Sequence, residues 1–123
     1  MQTVCELNSF RKAALASGMS EDDIADLVSL LSKHPDAGEE LQGTGGCRKL
    51  SFAIRGNNKG KSGGVRVITF FTGSAMPVFL LTVFGKSHKV NLTKAKRNGL
   101  KSITTQIVQT YLRPAGTEPG EKA

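Results

Sequence analysis

The spacing of apolar and polar residues along the chain predicts its first three elements. Side chains alternate over residues 3–7, which is typical of a short strand. Apolar residues then recur at helical spacing in 8–16 and in 20–33. The residues expected to cap these two helices are Asn8 or Ser9 for the first and Ser20 for the second. Gly18 should end the first helix, and the second should end at Lys33, before a proline.

The second half of the chain predicts three strands and one more helix. A glycine-rich turn at 43–46 precedes a strand in which Leu50, Phe52 and Ile54 share one face and Lys49, Ser51 and Arg55 the other. The runs 65–72 and 78–84 are apolar on both faces, so we expect them in the centre of a sheet. Thr93 should cap a last helix that ends before Pro114. Its predicted apolar stripe consists of Leu100, Ile103, Ile107 and Tyr111.

These elements, in the order β-α-α-β-β-β-α, predict an α+β fold. Consecutive strands with short links favour an antiparallel meander, and the two N-terminal helices should cover one of its faces. The opposite face is then expected to be basic. At 123 residues the chain suits one domain, for which we predict residues 1–112, with a disordered tail at 113–123.

The charge is divided unevenly between the two parts of the chain. Residues 1–40 hold eight acids and three bases, whereas residues 41–117 hold thirteen bases and no acid, within a net charge of +7. Cations without acidic neighbours repel one another, and a polyanion relieves that repulsion. A general solubilising surface is the alternative, although solubility alone favours intermixed signs.

Several other classes of function find little support in the sequence. The segment 56–62 resembles a nucleotide-binding P-loop, but three residues rather than four separate its glycines, and a strand follows instead of a helix. The cysteines and histidines lack the paired spacing of a zinc site, so no metal or other cofactor is expected. The longest apolar run, 78–84, is too short to cross a membrane, and we see no signal peptide. A cytoplasmic protein with reduced thiols fits these features.

One group of cations can converge, because strand ends and inter-strand connections of the meander carry them all. The group consists of Arg48, Lys49, Lys59, Lys61, Arg66, Lys86, His88 and Lys89. Arg66 differs from the others because it sits within an apolar strand, where it is either structural or held toward a ligand. If the polyanion is RNA, a planar guanidinium suits the charge that builds at a phosphorane. Composition alone does not separate RNA cleavage from RNA binding.

An ordered series of motifs resembles the RelE/HigB-like toxins of bacterial type II toxin–antitoxin modules. The motifs are Gly43-Thr44-Gly45-Gly46-Cys47-Arg48-Lys49-Leu50, Gly60-Lys61-Ser62-Gly63-Gly64-Val65-Arg66-Val67-Ile68, Leu80-Leu81-Thr82-Val83-Phe84-Gly85-Lys86 and Leu92-Thr93. The resemblance covers residues 1–110, roughly. It implies a RelE-like fold of the microbial-RNase type and metal-independent cleavage of mRNA on the ribosome, which inhibits translation. It also implies a cognate antitoxin, HigA-like with a helix-turn-helix, through which the pair contacts operator DNA.

The same resemblance implies roles for individual residues. The catalytic candidates are Arg66, Lys61, Lys86 and Lys49, and the RNA-binding candidates are Arg48, Lys59, His88 and Lys89. Two departures from the RelE branch leave the proton-transferring group open among Lys61, Lys86 and His88. Ser51 replaces a second strand lysine, and residues 87–92 lack the aromatic residue that stacks on the substrate base. The helical pattern places Tyr111 in the core rather than the active site.

Two other functions remain as alternatives at this point. A ParE-like relative would poison DNA gyrase by binding it, without nuclease chemistry. An inactive toxin remnant would bind RNA or sequester an antitoxin.

Overall fold

The computed structural model describes residues 2–54, 64–73, 76–85 and 93–111. These residues form three helices and five strands. In chain order they are β1 (Val4–Glu6), α1 (Asn8–Ala16), α2 (Glu21–Lys33), β2 (Glu39–Glu40), β3 (Cys47–Ala53), β4 (Gly64–Phe70), β5 (Val78–Gly85) and α3 (Lys94–Tyr111). The protein is therefore α+β, as predicted, and the two-residue strand β2 is an addition to the predicted order. The predicted end of α3 at Pro114 and the tail 113–123 lie outside the described residues.

The five strands form one mixed sheet in the order β1-β5-β4-β3-β2. β3, β4 and β5 are antiparallel neighbours, which confirms the predicted meander, while β1 pairs with β5 in parallel. The doubly apolar strands β4 and β5 occupy central positions, as their sequences predicted.

Local signals fix the ends of the helices. Ser20 caps α2 in a capping box, in which the Asp23 backbone N–H donates to the Ser20 hydroxyl and the Ser20 N–H donates to the Asp23 carboxylate. Gly18, with φ of +92°, ends α1 in a Schellman motif. The predicted cap of α1 is wrong. The helix begins after Leu7 with no side-chain cap, because the Ser9 hydroxyl donates instead to the Leu81 carbonyl of β5.

Each face of the sheet carries its own apolar cluster. The first cluster joins α1 and α2 to one face of β4 and β5 through Phe10, Leu27, Leu31, Val67 and Leu80, among others. The second cluster lies on the opposite face, where Leu100, Ile107 and Val108 of α3 pack over a floor that includes Ile68, Phe70 and Phe79. The expectation of a basic opposite face is thus only partly right, since α3 covers an apolar portion of it.

A β-bulge in β5 sets which of its side chains meet α3. Ile68 pairs with Thr82 but Thr69 pairs with Leu80, so Leu81 is the extra residue. Leu81 joins the α3-side cluster, and Thr82 then also faces α3 across from Ile68. Alternation resumes from there and brings Phe84 to the α3 face. If the strand kept Leu81 and alternated strictly with no bulge, Phe84 would point to the α1 and α2 side.

The glycine-rich turn before β3 has a structural role. The backbone is left-handed at Gly43, Gly45 and Gly46, with φ between +78° and +129°. Between these glycines, the buried Thr44 hydroxyl donates to the Leu41 carbonyl at 2.6 Å and accepts from the Cys47 N–H at 3.1 Å. The turn also anchors α3, because the hydroxyl of the buried Thr104 lies 3.1 Å from the Thr44 carbonyl oxygen.

Two buried threonines should respond oppositely to replacement by valine. The Thr104 hydroxyl has two carbonyl acceptors within reach, that of Thr44 at 3.1 Å and that of Lys101 at 2.9 Å, so Thr104→Val removes their shared donor and should lower the free energy of unfolding by about 1–2 kcal/mol. The Thr69 hydroxyl is buried, and no partner for it is found in the described part of the chain. Thr69→Val should therefore raise the free energy of unfolding by roughly 1 kcal/mol. Urea unfolding of both variants checks the signs, and two losses of equal size would contradict this account of Thr69.

Both cysteines are free, and they lie at opposite ends of one row across the sheet. The row runs Cys5, Phe79, Phe70, Cys47. Three strand spacings put the two cysteines about 14 Å apart, which is too far for a disulfide.

Burial gives Cys47 a pH dependence that unfolding experiments can measure. Burial raises the pKa of the Cys47 thiol from 9.0 to about 11, and a hydrogen bond with Thr44 offsets part of the effect. Between these values only the unfolded chain ionises the thiol, so stability should fall as pH rises from 9 to 11, by roughly 2–3 kcal/mol in all. At pH 8 the Cys47→Ala variant should be less stable than the original protein. Between pH 8 and 11 its free energy of unfolding should fall by less than that of the original protein. Parallel losses in the two proteins would contradict the assignment.

Within the part of the chain that the structure describes, no helix has both the length and the apolar character that spanning a bilayer requires.

Candidate nucleic-acid interface

Three of the eight candidate cations are among the described residues, and strand alternation divides them. Lys49 pairs with Ile68, and Ser51 pairs with Arg66, so Lys49 and Arg66 lie on the α3 face of the sheet. Arg48 lies on the opposite face, where its guanidinium donates to the Gly38 carbonyl at 3.3 Å. The structure therefore brings Lys49 and Arg66 together and does not bring Arg48 to them.

Arg66 lies on the central strand of the sheet, and one of its donors is buried without a partner among the described residues. It lies between Ser51 on β3 and Phe84 on β5, and its side chain is half-buried. Its Nε is fully buried, and no hydrogen-bond partner for it is found among the described residues. A buried donor without a partner costs about 1–3 kcal/mol. A ligand with anionic oxygens can pair with the guanidinium fork, and it reaches Nε only if the side chain shifts, because Nε has no solvent-exposed surface.

Lys49 lies within reach of the same ligand. It is the diagonal neighbour of Arg66 across β3 and β4, a relation that separates the residues by about 7–8 Å. Both side chains are long enough to converge on one anion over the sheet. The α3 face thus carries a two-cation site with the hydroxyl of Ser51 beside it.

The edge strand β2 places acidic residues opposite two of the candidate cations. Its register places Glu39 opposite Lys49 and Glu40 opposite Arg48. Directly opposed residues have Cβ atoms about 4.5–5.5 Å apart, so each of these cations has a carboxylate close by. Alternation puts Glu39 on the same face as Lys49, and with it the candidate site gains a carboxylate. This carboxylate could not be predicted from the sequence, because a two-residue strand leaves no periodic signal.

Helix α3 contributes a cation and one wall of a cavity that reaches the cross-strand neighbour of Arg66. Phe84, the cross-strand neighbour of Arg66, lines an apolar cavity of about 280 Å³ together with Lys96 and Gly99 of α3. Lys96 belongs to a basic stretch that the sequence analysis did not assign to the site. The stretch consists of Lys94, Lys96, Arg97 and Lys101, of which Arg97 donates to the Gln42 carbonyl at 2.7 Å. The absence of acids from residues 41–117 is the sequence signal from which this basic stretch could have been added to the candidate residues.

The other five candidates lie outside the described residues. They are Lys59, Lys61, Lys86, His88 and Lys89. The described strand ends that flank them are adjacent, since Ala53 pairs with Gly64 and Val65 pairs with Gly85. The described ends of β3, β4 and β5 that flank these candidates therefore lie at the same end of the sheet. The pair Val65 and Gly85 there is next to the pair that contains Arg66.

Tyr111 lies at the end of α3 and not near Arg66. Its ring meets Phe79 edge-on at 5.6 Å, and the residue is 49% exposed. The prediction that it is a core residue is thus half right, because one side of the ring packs and the other meets solvent.

Among the described residues, no group of three His, Cys, Asp or Glu side chains is placed to hold a metal ion. No protein-family model matches the sequence.

Proposed function

We propose that this protein is an mRNA endonuclease of the RelE/HigB type, the toxin of a type II toxin–antitoxin module that cleaves ribosome-bound mRNA. The observation that carries the proposal is the Arg66 side chain, half-buried beside Lys49 with a buried Nε that has no partner among the described residues. An RNA phosphate supplies the anionic oxygens that such a pair lacks. The order of helices and strands and the series of sequence motifs support the same family.

The chemistry assigns Arg66 to the phosphate. The 2′-hydroxyl loses its proton to a base and attacks the adjacent phosphorus, a 2′,3′-cyclic phosphate forms, and the bond to the 5′-oxygen breaks as that oxygen takes up a proton. The attack adds negative charge to the phosphate oxygens, which the guanidinium fork stabilises more in the transition state than in the ground state. Lys49 holds the same phosphate as a point charge. Proton transfer has four candidates: Lys61, Lys86 and His88 from the sequence, and Glu39 from the strand register.

The proposal includes partners and a location. The substrate is mRNA on the ribosome, and a cognate antitoxin with a HigA-like helix-turn-helix silences the toxin and carries the pair to operator DNA. These partners place the protein in the cytoplasm.

Incubation of the purified chain with programmed ribosomes tests the function directly. Primer extension should reveal mRNA cuts within codons, and the same mRNA without ribosomes should remain intact. Induced expression in cells should arrest growth with the same cuts. Double-strand DNA breaks with intact mRNA would replace the proposal with gyrase poisoning, and RNA binding without cuts would indicate an inactive remnant.

Lys49 and Arg48 are neighbours in β3 that point to opposite faces of the sheet, and they therefore give a matched pair of variants. Lys49→Ala should lower the rate of mRNA cleavage by about 10-fold or more, because it removes a charge from the phosphate site. Arg48→Ala removes an equal formal charge from the other face and should leave the rate within about 2-fold. Single-turnover cleavage on ribosomes measures both. Equal losses would mean that net charge, rather than position on the α3 face, determines activity.

A further inference from the structure

The apolar cavity of about 280 Å³ lies between the sheet and the first half of α3. Ile68, Thr82 and Phe84 are on its sheet side, and its helix side includes Lys96 and Gly99. Cavities that hold drug-sized ligands commonly measure about 300–1,000 Å³. This cavity therefore suits a smaller group.

Two cross-strand pairs connect the cavity to the proposed phosphate site. Phe84 pairs directly with Arg66, and directly opposed residues have Cβ atoms about 4.5–5.5 Å apart. Ile68, which also lines the cavity, pairs with Lys49. Both cations that we assign to the phosphate thus have a direct neighbour in the cavity wall.

Gly99 keeps the helix side of the cavity open. It is the sixth residue of α3, and glycine weakens a helix more than any residue except proline. Its backbone is not left-handed, and a Cβ added there meets no atom within 4 Å, so neither backbone geometry nor close packing requires glycine. A larger side chain at this position would extend into the cavity that Gly99 lines.

A nucleobase of single-stranded RNA matches the chemistry of this cavity. The two faces of a base stack on aromatic side chains, and Phe84 offers a half-buried ring. The polar edge of a base needs donors and acceptors, which the Thr82 hydroxyl and the Lys96 ammonium group in the cavity wall supply. A phosphate held by Arg66 and Lys49 has a base attached one ribose away.

We propose that the cavity binds one base of the codon that is cleaved, with Phe84 as the stacking surface and Gly99 as the residue that leaves room for the base. The inference rests on the proposed function, because the phosphate between Arg66 and Lys49 brings the base to the cavity. It adds to that function a position at which the protein contacts a base rather than the backbone of the message.

Removing a base from the mRNA tests this contact from the side of the substrate. Ribosomes are programmed with mRNA that carries 2′-O-methyl riboses in the open codon, so binding is measured without cleavage. One codon position at a time is then made abasic. Co-sedimentation of the full chain with these ribosomes gives its affinity. At one codon position, loss of the base should weaken binding about 10-fold.

Variants that change the cavity test the contact from the side of the protein. Gly99→Leu should weaken binding to the intact codon by the same factor, and loss of the base should then change the affinity by less than 2-fold. Phe84→Leu keeps apolar bulk without the aromatic ring and should lose most of the base dependence. Two matched controls should keep the full effect of base removal: Ser102→Leu at an exposed position of α3, and Phe52→Leu on the opposite face of the sheet.

Urea unfolding verifies that the variants fold, and Gly99→Leu should be at least as stable as the original protein because leucine favours a helix. Equal effects of base removal in the original protein and in Gly99→Leu would overturn the proposal. If Gly99→Leu still weakened binding in that case, the cavity would hold another component of the ribosome. Equal losses for Ser102→Leu and Gly99→Leu would also overturn it.

Cleavage of unmodified mRNA is measured in parallel, so that the two proposals fail separately. Base-dependent binding without cuts would support the base cavity and overturn the nuclease. Cuts within codons, together with binding that no abasic position weakens, would overturn the base cavity alone.

Discussion

Replacing Arg66 with alanine should reduce ribosome-dependent mRNA cleavage by at least about 100-fold. Loss of one preorganised donor at a developing oxyanion typically costs that much in rate, and Arg66 brings a fork of donors and a full charge. The growth arrest caused by the intact chain should disappear with the cleavage. Single-turnover rates on programmed ribosomes, with primer extension to map the cuts, measure the effect.

The stability of the same variant separates a functional arginine from a structural one. The Arg66 Nε is buried without a partner among the described residues, so its removal takes away an unsatisfied donor. Arg66→Ala should therefore unfold at a urea concentration equal to or above that of the original protein. If instead the variant lost more than about 2 kcal/mol of stability, Arg66 would be a structural residue and the proposed site would lose its centre.

Two conservative variants complete the test of Arg66. Arg66→Lys keeps the charge but loses the planar fork, and should recover only part of the rate. Ser51→Ala removes the hydroxyl directly opposite Arg66 and should stay within about 3-fold if the hydroxyl only neighbours the site.

The largest effect on stability is expected for Phe70→Ala, at about 3–5 kcal/mol. Phe70 is 1% exposed and lies in the row between Cys47 and Phe79, with its ring centre 6.2 Å from that of Phe79. Its removal leaves a cavity in the floor on which α3 packs. Urea unfolding measures the loss, and hydrogen exchange should increase in α3 more than in α2, which packs on the other face.

Phe70→Leu is the control for cavity size. It keeps most of the apolar volume and should cost less than half as much as the alanine variant. A similar cost for both, or equal exchange in α2 and α3, would contradict the view that each face of the sheet has its own core.

Much of this fold could be predicted because the decisive signals are local. The capping box at Ser20, the left-handed Gly18 and the doubly apolar strands each determine structure within a few residues. The errors concern long-range contacts. Ser9 donates to a strand more than seventy residues away, and β2 exists only because β3 offers it an edge. No sequence window contains both partners of such contacts.

The candidate site could be predicted in part for the same reason. Alternation in β3 correctly separated Lys49 from Leu50 and Phe52, and the apolar surroundings of Arg66 distinguished it from the other cations. The prediction that Arg48 joins Lys49 in one group of cations is wrong, because successive residues of β3 point to opposite faces of the sheet. Glu39 lies opposite Lys49 and Lys96 lines a cavity with Phe84, and both placements follow from tertiary contacts alone.

The extra residue in β5 lets this strand change its length without turning its other side chains. Deleting Leu81 would remove the bulge and restore strict alternation, while the residues from Thr82 to Phe84 would keep their partners on β4 and therefore their faces. The apolar cluster under α3 would lose one side chain, and Phe84 would still be the cross-strand neighbour of Arg66. A homologue one residue shorter here would therefore be aligned with its gap at Leu81, and the residues on both sides of the gap would occupy the same faces as in this protein.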